Sequence, residues 1–168
     1  MATEDIRDFL TALSAAGAEF IVVGAHALAA HGHVRGTGDI DLLVRASPEN
    51  AQRIAVATRE FAAASLESFG VSVEELSVEG VGFYIGVEPD RIDVLTRIAG
   101  VRFERAWRSR VPSVIEGIPV AVLGFEDLIA AKRASARKRS ADSPKAKQDE
   151  ADLGWLLAER ERRKNSKR

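Results

Sequence analysis

Three aspartates stand in settings that suit metal-assisted chemistry. Asp39 and Asp41 are one residue apart in the run Asp-Ile-Asp-Leu-Leu-Val, which the apolar residues predict to be a strand. Side chains alternate between the faces of a strand, so both carboxylates would lie on one face and Ile40 on the other. Asp93 lies between apolar residues in a second predicted strand, 91–95. If the two strands are neighbours, the three carboxylates converge.

Converging carboxylates repel one another and favour protonation unless a cation lies between them. Their hard oxygen atoms suit Mg²⁺, which takes one or two carboxylates together with waters and substrate phosphates. Two such ions about 3.5–4 Å apart could support in-line attack on a phosphate, and Asp93 could accept the proton of an attacking hydroxyl. The alternative is that Asp39 and Asp41 are exposed edge-strand residues and that Asp93 only follows a turn.

A glycine-led turn precedes the first two acids. Gly24 ends the apolar run 20–23 and opens a short alanine-rich helix, 25–31. The free N–H groups at a helix start can hold a phosphate, and glycine allows the backbone to approach closely. The alternative is a tight strand-to-helix turn that binds nothing.

The glycine-rich loop 32–38 runs directly into Asp39. Its Arg35 could contact a phosphate or brace the site, and Thr37 could form a local hydrogen bond. The alternative for Arg35 is a surface arginine or an ion pair with an acidic neighbour. The histidines do not have the spacing of a helical zinc pair. We therefore expect surface or hydrogen-bonding roles for the three of them, His26, His31 and His33.

The remaining elements must position these residues. Hydrophobic periodicity and turn residues predict helices and strands in alternation, while 66–80 shows no clear pattern. The predicted strands are 20–23, 39–44, 81–87, 91–95, 111–115 and 118–122. The predicted helices are 3–16, 25–31, 48–64, 103–108, 125–136 and 146–163, with a break at 140–144. This order predicts a mixed sheet with helices packed against it, an α+β or α/β fold.

Composition limits the remaining possibilities. The 168 residues suit one domain, 1–168, and the absence of cysteine excludes disulfides and thiolate metal sites and suits a reducing cytoplasm. No signal peptide or apolar run of about 18 residues is present, so no membrane association is expected. The net charge is −1, but basic residues dominate 132–147 and 160–168. We expect a basic helical segment from about 125 and a disordered tail from about 161. The basic residues of both would be either solvated or in contact with a polyanion.

Two stretches together resemble a known signature. Residues 20–32, Phe-Ile-Val-Val-Gly-Ala-His-Ala-Leu-Ala-Ala-His-Gly, and 35–44, Arg-Gly-Thr-Gly-Asp-Ile-Asp-Leu-Leu-Val, resemble the minimal nucleotidyltransferase superfamily, which is DNA polymerase beta-like. The variant resembles bacterial proteins of the abortive-infection and toxin–antitoxin kind. The later acid of the family pattern matches Asp93, and 125–132 with 147–153 resemble the family's C-terminal part. The resemblance therefore extends from about 18 to about 157.

The resemblance implies transfer of a nucleoside monophosphate from an NTP to a hydroxyl of a protein, an RNA or a small molecule. It implies Mg²⁺ on the catalytic acids Asp39, Asp41 and Asp93, and a partner protein of a toxin–antitoxin pair. The residues that it implies for nucleotide binding are Gly24, Ala25, Arg35, Thr37 and Lys132. Lys132 would contact a phosphate or close the site, and the alternative is a surface lysine.

Ala25 departs from the family pattern, which usually has Gly-Ser or Gly-Gly at this helix start. Alanine has no hydroxyl to donate to a phosphate. A catalytically weak or inactive protein that uses the fold for binding, for example as a toxin–antitoxin partner, therefore stays open. A third alternative is a nucleic-acid binder through 132–147, whose affinity would fall steeply with salt.

Overall fold

A six-stranded mixed sheet forms the centre of the protein. The computed structural model describes residues 3–138 and 143–166. The strands are β1 (Phe20–Val23), β2 (Ile40–Val44), β3 (Gly82–Val87), β4 (Asp90–Leu95), β5 (Val111–Ile115) and β6 (Ile118–Val122). Their spatial order is β3-β4-β2-β1-β6-β5. β2 runs antiparallel to β1 and parallel to β4, whereas β1 and β6 are parallel. The predicted mixed sheet is confirmed.

The helices follow the predicted order with ends shifted by a few residues. They are α1 (Thr3–Ala15), α2 (Gly24–Ala30), α3 (Pro48–Ala62), α4 (Val73–Leu76), α5 (Phe103–Ser109), α6 (Phe125–Lys138) and α7 (Pro144–Asn165). Residues 66–80, whose sequence shows no clear pattern, form a 3₁₀ turn, Leu66–Phe69, and the single helical turn α4. α4 is defined by a capping box between Ser72 and Glu75, a local device that is too short to produce a hydrophobic period.

The C-terminal helix is longer than the sequence predicts. α7 begins at Pro144, where the Ser143 hydroxyl accepts a hydrogen bond from the Ala146 N–H, and it continues to Asn165. The predicted disordered tail from about 161 is therefore helical over 161–165. The Arg163 guanidinium ties this segment to the rest of the protein, because it lies 4.1 Å from the Phe125 ring centroid and donates to the His31 carbonyl. Residues 139–142 in the predicted break, and 167 and 168, lie outside the described residues.

Within the described ranges, none of the helices has both the length and the apolar composition that a membrane span requires.

One buried amide fixes the two strands that lead to the acids and the glycine turn. The Asn50 side chain is fully buried. Its Oδ1 accepts from the Glu19 N–H at 2.7 Å, and its Nδ2 donates to the carbonyls of Glu19 and Arg45, both at 3.0 Å. Glu19 precedes β1 and Arg45 follows β2, so this amide holds one end of the β1–β2 pair together. Val23 and Asp41 pair at the other end.

Candidate active site

The three aspartates lie on one face of the sheet. Asp41 and Asp93 are direct partners in the parallel register of β2 and β4, and Asp39 immediately precedes β2. Neighbouring strands are about 4.8 Å apart, so the two partnered side chains leave the sheet side by side. The neighbouring strand that the sequence required for Asp93 is therefore present. Asp41 also pairs with Val23 of β1, so the turn at Gly24, the next residue, lies beside the Asp41 carboxylate.

A cleft of about 340 Å³ lies over these acids. Its walls include every residue that the sequence analysis selected, namely Gly24, Ala25, Arg35, Thr37, Asp39, Asp41, Asp93 and Lys132. Residues of α6 and α7, among them Ser135 and Gln148, close the side opposite the sheet. Two larger depressions on the surface contain none of the selected residues.

Gly24 makes room for a carboxylate. Its φ is +66°, and a Cβ at this position would overlap Oδ2 of Asp41 and lie 3.2 Å from its Cγ. Only glycine therefore allows the Asp41 side chain to lie against the turn. No side chain caps the first turn of α2, since Val23 precedes it. Ala25 is buried in the cleft wall, and its side chain adds no polar group there.

The floor of the cleft carries closely spaced negative charges that are only partly compensated. Burial raises the pKa of Asp41, and the charges of Asp93 and Asp39 raise it further, while Lys132 and Arg91 act in the opposite direction. Oδ1 of Asp39 is buried and has no hydrogen-bond partner within the described residues. Both features would be relieved by a cation held between the carboxylates, and a set of hard oxygen donors fits Mg²⁺.

The carboxylates are nevertheless not gathered as ligands. Among the residues that the structure describes, no group of three or more His, Cys, Asp or Glu side chains is arranged to hold a metal ion. The Asp93 carboxylate instead accepts two hydrogen bonds from Arg91, from Nε at 2.5 Å and from Nη2 at 2.9 Å. The sequence analysis did not select Arg91, although its position two residues before Asp93 on the same strand was a usable signal.

The loop before β2 is held by its own polar groups. The Thr37 hydroxyl donates to the Asp39 carbonyl at 3.1 Å, which is the local hydrogen bond expected for it. Arg35 braces the loop, since its Nη2 donates to Oδ2 of Asp152 in α7 at 3.3 Å and its Nε lies 3.3 Å from Oδ1. In this structure Arg35 is therefore engaged by a carboxylate while it lines the cleft.

A buried carboxylate organises the helical side of the cleft. Asp152 is completely buried, and its oxygens meet Lys132 at 2.7 Å, Gln148 at 3.0 Å and His33 at 3.3 Å, in addition to Arg35. Lys132 also donates to Asp149 at 2.8 Å. We call these six residues the Asp152 cluster. It connects the loop before β2 with α6 and α7.

The Asp152 cluster changes the interpretation of the basic run 132–147. Lys132 begins that run but is buried and paired, so it is not part of a solvated basic face. Burial raises the pKa of Asp152, but hydrogen bonds and charge from Lys132, with Gln148 and Arg35, outweigh burial and lower it overall. The run also includes 139–142, outside the described residues.

The histidines are hydrogen-bonding and packing residues. His31 Nε2 donates to the Leu123 carbonyl at 2.8 Å, and its ring meets Phe125 edge-on. His33 stacks on Trp155 with ring centroids 4.7 Å apart. Burial lowers the pKa of His26, which favours its neutral form. The expectation for His31 and His33 is confirmed.

Comparison with known proteins places this site in a family context. A family model described as nucleotidyl transferase AbiEii toxin, Type IV TA system, matches residues 8–166. A search of curated protein sequences finds no significant match. The fold is similar to the solution structure of the antibiotic-resistance factor ANT(2'')-Ia, with a TM-score of 0.56 and 20% identity over 98% of this chain and 93% of that chain. At this identity the similarity supports the fold alone, and it confirms the nucleotidyltransferase-like fold.

We predict that Gly24→Ala destabilises the protein more than Gly17→Ala does. The φ values are +66° and +68°, so both substitutions impose similar backbone strain, about 1–2 kcal/mol. Only at position 24 would the new Cβ overlap Asp41, because nothing lies within 4 Å at position 17. Urea unfolding should show an extra loss of about 1–3 kcal/mol for Gly24→Ala. Asp41→Ala should recover much of that extra loss; equal losses at positions 24 and 17 would contradict this account of Gly24.

We also predict that Asp152→Asn lowers the free energy of unfolding by about 3 kcal/mol near neutral pH, because Lys132 and Arg35 lose a buried counterion. The pKa of Asp152 is lowered in the folded state, so its carboxylate stabilises the fold above the ordinary carboxyl pKa. That contribution is lost as the pH falls through the lowered value. Urea unfolding across pH should therefore show a gap from wild type that narrows on acidification, with exposed Glu150→Gln as the control. A gap that is independent of pH would rule out this charge linkage.

Proposed function

The chain belongs to the nucleotidyl transferase AbiEii toxin family of type IV toxin–antitoxin systems, and on this basis we propose that it is a metal-dependent nucleotidyltransferase. It would transfer a nucleoside monophosphate from an NTP to a hydroxyl acceptor. The observation that carries the proposal is the register of β2 and β4, which pairs Asp41 with Asp93 beside the turn at Gly24. Asp39 shares their face, and all four residues line one cleft.

The cleft has the size and the lining for a nucleotide. Its volume of about 340 Å³ falls in the usual range for small-molecule sites, roughly 300–1,000 Å³. Besides its charged and polar residues, the lining includes small and apolar side chains that suit a nucleobase. These apolar residues are Leu95, Ile98, Ala99, Leu128 and Ala131. The triphosphate would then lie toward the turn at Gly24 and the acids.

In the proposed reaction Asp39, Asp41 and Asp93 would hold Mg²⁺. The bound metal would supply positive charge to the reacting phosphate and to the leaving pyrophosphate. The acceptor oxygen forms a bond to the α-phosphorus as the bond to the bridging oxygen breaks, and pyrophosphate leaves. The Asp93 carboxylate accepts the hydroxyl proton.

The remaining cleft residues would orient the triphosphate. The backbone N–H groups at Gly24 and Ala25, which no side chain caps, would donate to phosphate oxygens. Lys132 keeps its pairs with Asp149 and Asp152, and its charge lowers the pKa of Asp41, so it contributes positive potential to the cleft. The acceptor stays open between a protein, an RNA and a small molecule. An antitoxin partner and a cytoplasmic location remain proposals that follow from the family.

The first test is transfer of label from each of the four α-labelled NTPs with Mg²⁺, using cellular RNA, protein and small-molecule fractions as acceptors. We expect label in one fraction with wild-type protein. Asp39→Asn and Asp41→Asn should each reduce the rate at least about 100-fold, since several kcal/mol of charge stabilisation would be lost. Glu79→Gln, which changes an exposed carboxylate, is the matched control. Absence of transfer together with absence of Mg²⁺-dependent NTP binding would favour a non-catalytic binding protein.

A second test concerns the departure at position 25. We predict that Ala25→Ser tightens NTP binding by roughly tenfold, because the new hydroxyl would donate to a phosphate oxygen at the start of α2. Titration of a fluorescent NTP with Mg²⁺ would measure the affinity. Ala30→Ser, at the exposed end of the same helix, controls for helix propensity. Equal affinities of Ala25→Ser and wild type would show that the phosphates do not contact this turn.

A further inference from the structure

Arg91 makes contacts that neither the family assignment nor the proposed reaction explains. Its Nε and Nη2 donate to the two oxygens of Asp93, and its Nη1 lies 3.2 Å from a carboxylate oxygen of Glu88. The guanidinium also lies 5.0 Å from the Tyr84 ring centroid. The Arg91 guanidinium thus contacts Asp93 on the cleft floor and, at the edge of the cleft, Glu88 and Tyr84.

The position of this guanidinium is chemically informative. A fork-to-fork pair uses both oxygens of the carboxylate, which are the atoms that a divalent cation would need. Asp39 is different, because its buried Oδ1 has no hydrogen-bond partner among the described residues. Arg91 therefore occupies the oxygens of one acid while an oxygen of a neighbouring acid has no partner.

At the edge of the cleft Arg91 has two partners besides Asp93, namely Glu88 and Tyr84. Glu88 is exposed, and Tyr84 is 60% exposed and pairs with Asp93 across β3 and β4. The β3 residue opposite Arg91 is Gly86, which has no side chain to block its movement. The guanidinium can thus release Asp93 while it keeps an opposite charge and an aromatic face.

We propose that Arg91 is a positioning residue that holds Asp93 until a divalent cation enters the cleft, and that its release sets the affinity for that cation. This inference rests on the proposed function, since it assigns the cation to Asp39, Asp41 and Asp93. Entry of the cation exchanges one counterion of Asp93 for another. Arg91 then remains with Glu88 and Tyr84 at the cleft edge.

The test is Mn²⁺ binding without NTP, measured from the free-ion signal in electron paramagnetic resonance. Arg91→Gln removes the competing charge and is expected to bind Mn²⁺ about tenfold more tightly than wild type. Arg97→Gln is the matched control, because it removes the same charge from an exposed position near the end of β4. Arg91→Lys keeps the charge but cannot form the fork, so its affinity should lie between those of wild type and Arg91→Gln. Asp93→Asn should abolish the gain in the Arg91→Gln background.

Several results would overturn the proposal. If Arg91→Gln binds Mn²⁺ no more tightly than Arg97→Gln, Arg91 does not compete for Asp93. If Arg91→Gln fails to fold, wild-type protein still decides the question by NMR. The Arg91 Nε–H resonance, assigned by its absence in Arg91→Lys, should shift when diamagnetic Mg²⁺ is added. A resonance that does not respond at saturating Mg²⁺ contradicts release of Asp93.

The transfer assay separates this proposal from the proposed function. A protein that transfers label but shows the same Mn²⁺ affinity in Arg91→Gln and Arg97→Gln retains its function and loses only the role of Arg91. If Arg91→Gln gains Mn²⁺ affinity as expected but no acceptor is labelled, the role of Arg91 is supported and the catalytic function is contradicted. In an active protein, the Mg²⁺ concentration for half-maximal transfer should fall in Arg91→Gln in parallel with the Mn²⁺ dissociation constant.

Discussion

Repulsion between like charges is the constraint on which the rest of the site depends. The parallel register of β2 and β4 places Asp41 beside Asp93, and Asp39 lies on the same face. Three carboxylates this close cannot all stay ionised without compensating charge. Burial raises the pKa of Asp41, and the charges of Asp93 and Asp39 raise it further. The neighbouring residues reduce this repulsion or make room for the acids. Arg91 binds Asp93, and Lys132 lies within electrostatic reach of Asp41. Gly24 leaves space for the Asp41 carboxylate.

The C-terminal helices belong to this site. Asp152 is buried without access to water, and such a charge is tolerated only when its oxygens are fully engaged. Its partners come from the loop before β2, from α6 and from α7, so the Asp152 cluster holds three separate segments of the chain in one arrangement. The same contacts keep Lys132 inside the cleft wall. A substitution in α7 that breaks these contacts would therefore alter the loop that leads to Asp39.

Family membership and the local chemistry of the cleft are separate matters. The family assignment concerns residues 8–166, whereas phosphate binding depends on a few atoms at the start of α2. Ala25 provides a backbone N–H there but no hydroxyl, and Arg91 occupies the oxygens of Asp93. Both features lower the expected affinity for a metal-bound nucleotide. They leave intact the fold and the placement of the three acids.

The sequence by itself determined most of the elements and the set of residues that line the cleft, because strand alternation, caps and turn glycines are local properties. The period of two places Asp39 and Asp41 on one face, and the motif residues from Gly24 to Lys132 do line one cleft. Tertiary structure decided which groups neutralise which charges. The pairing of Asp41 with Asp93 required the strand order, and the burial of Lys132 against Asp152 required α6 and α7 to pack together. The bond between Arg91 and Asp93 depended on side-chain conformation, since a spacing of two residues allows that contact without requiring it.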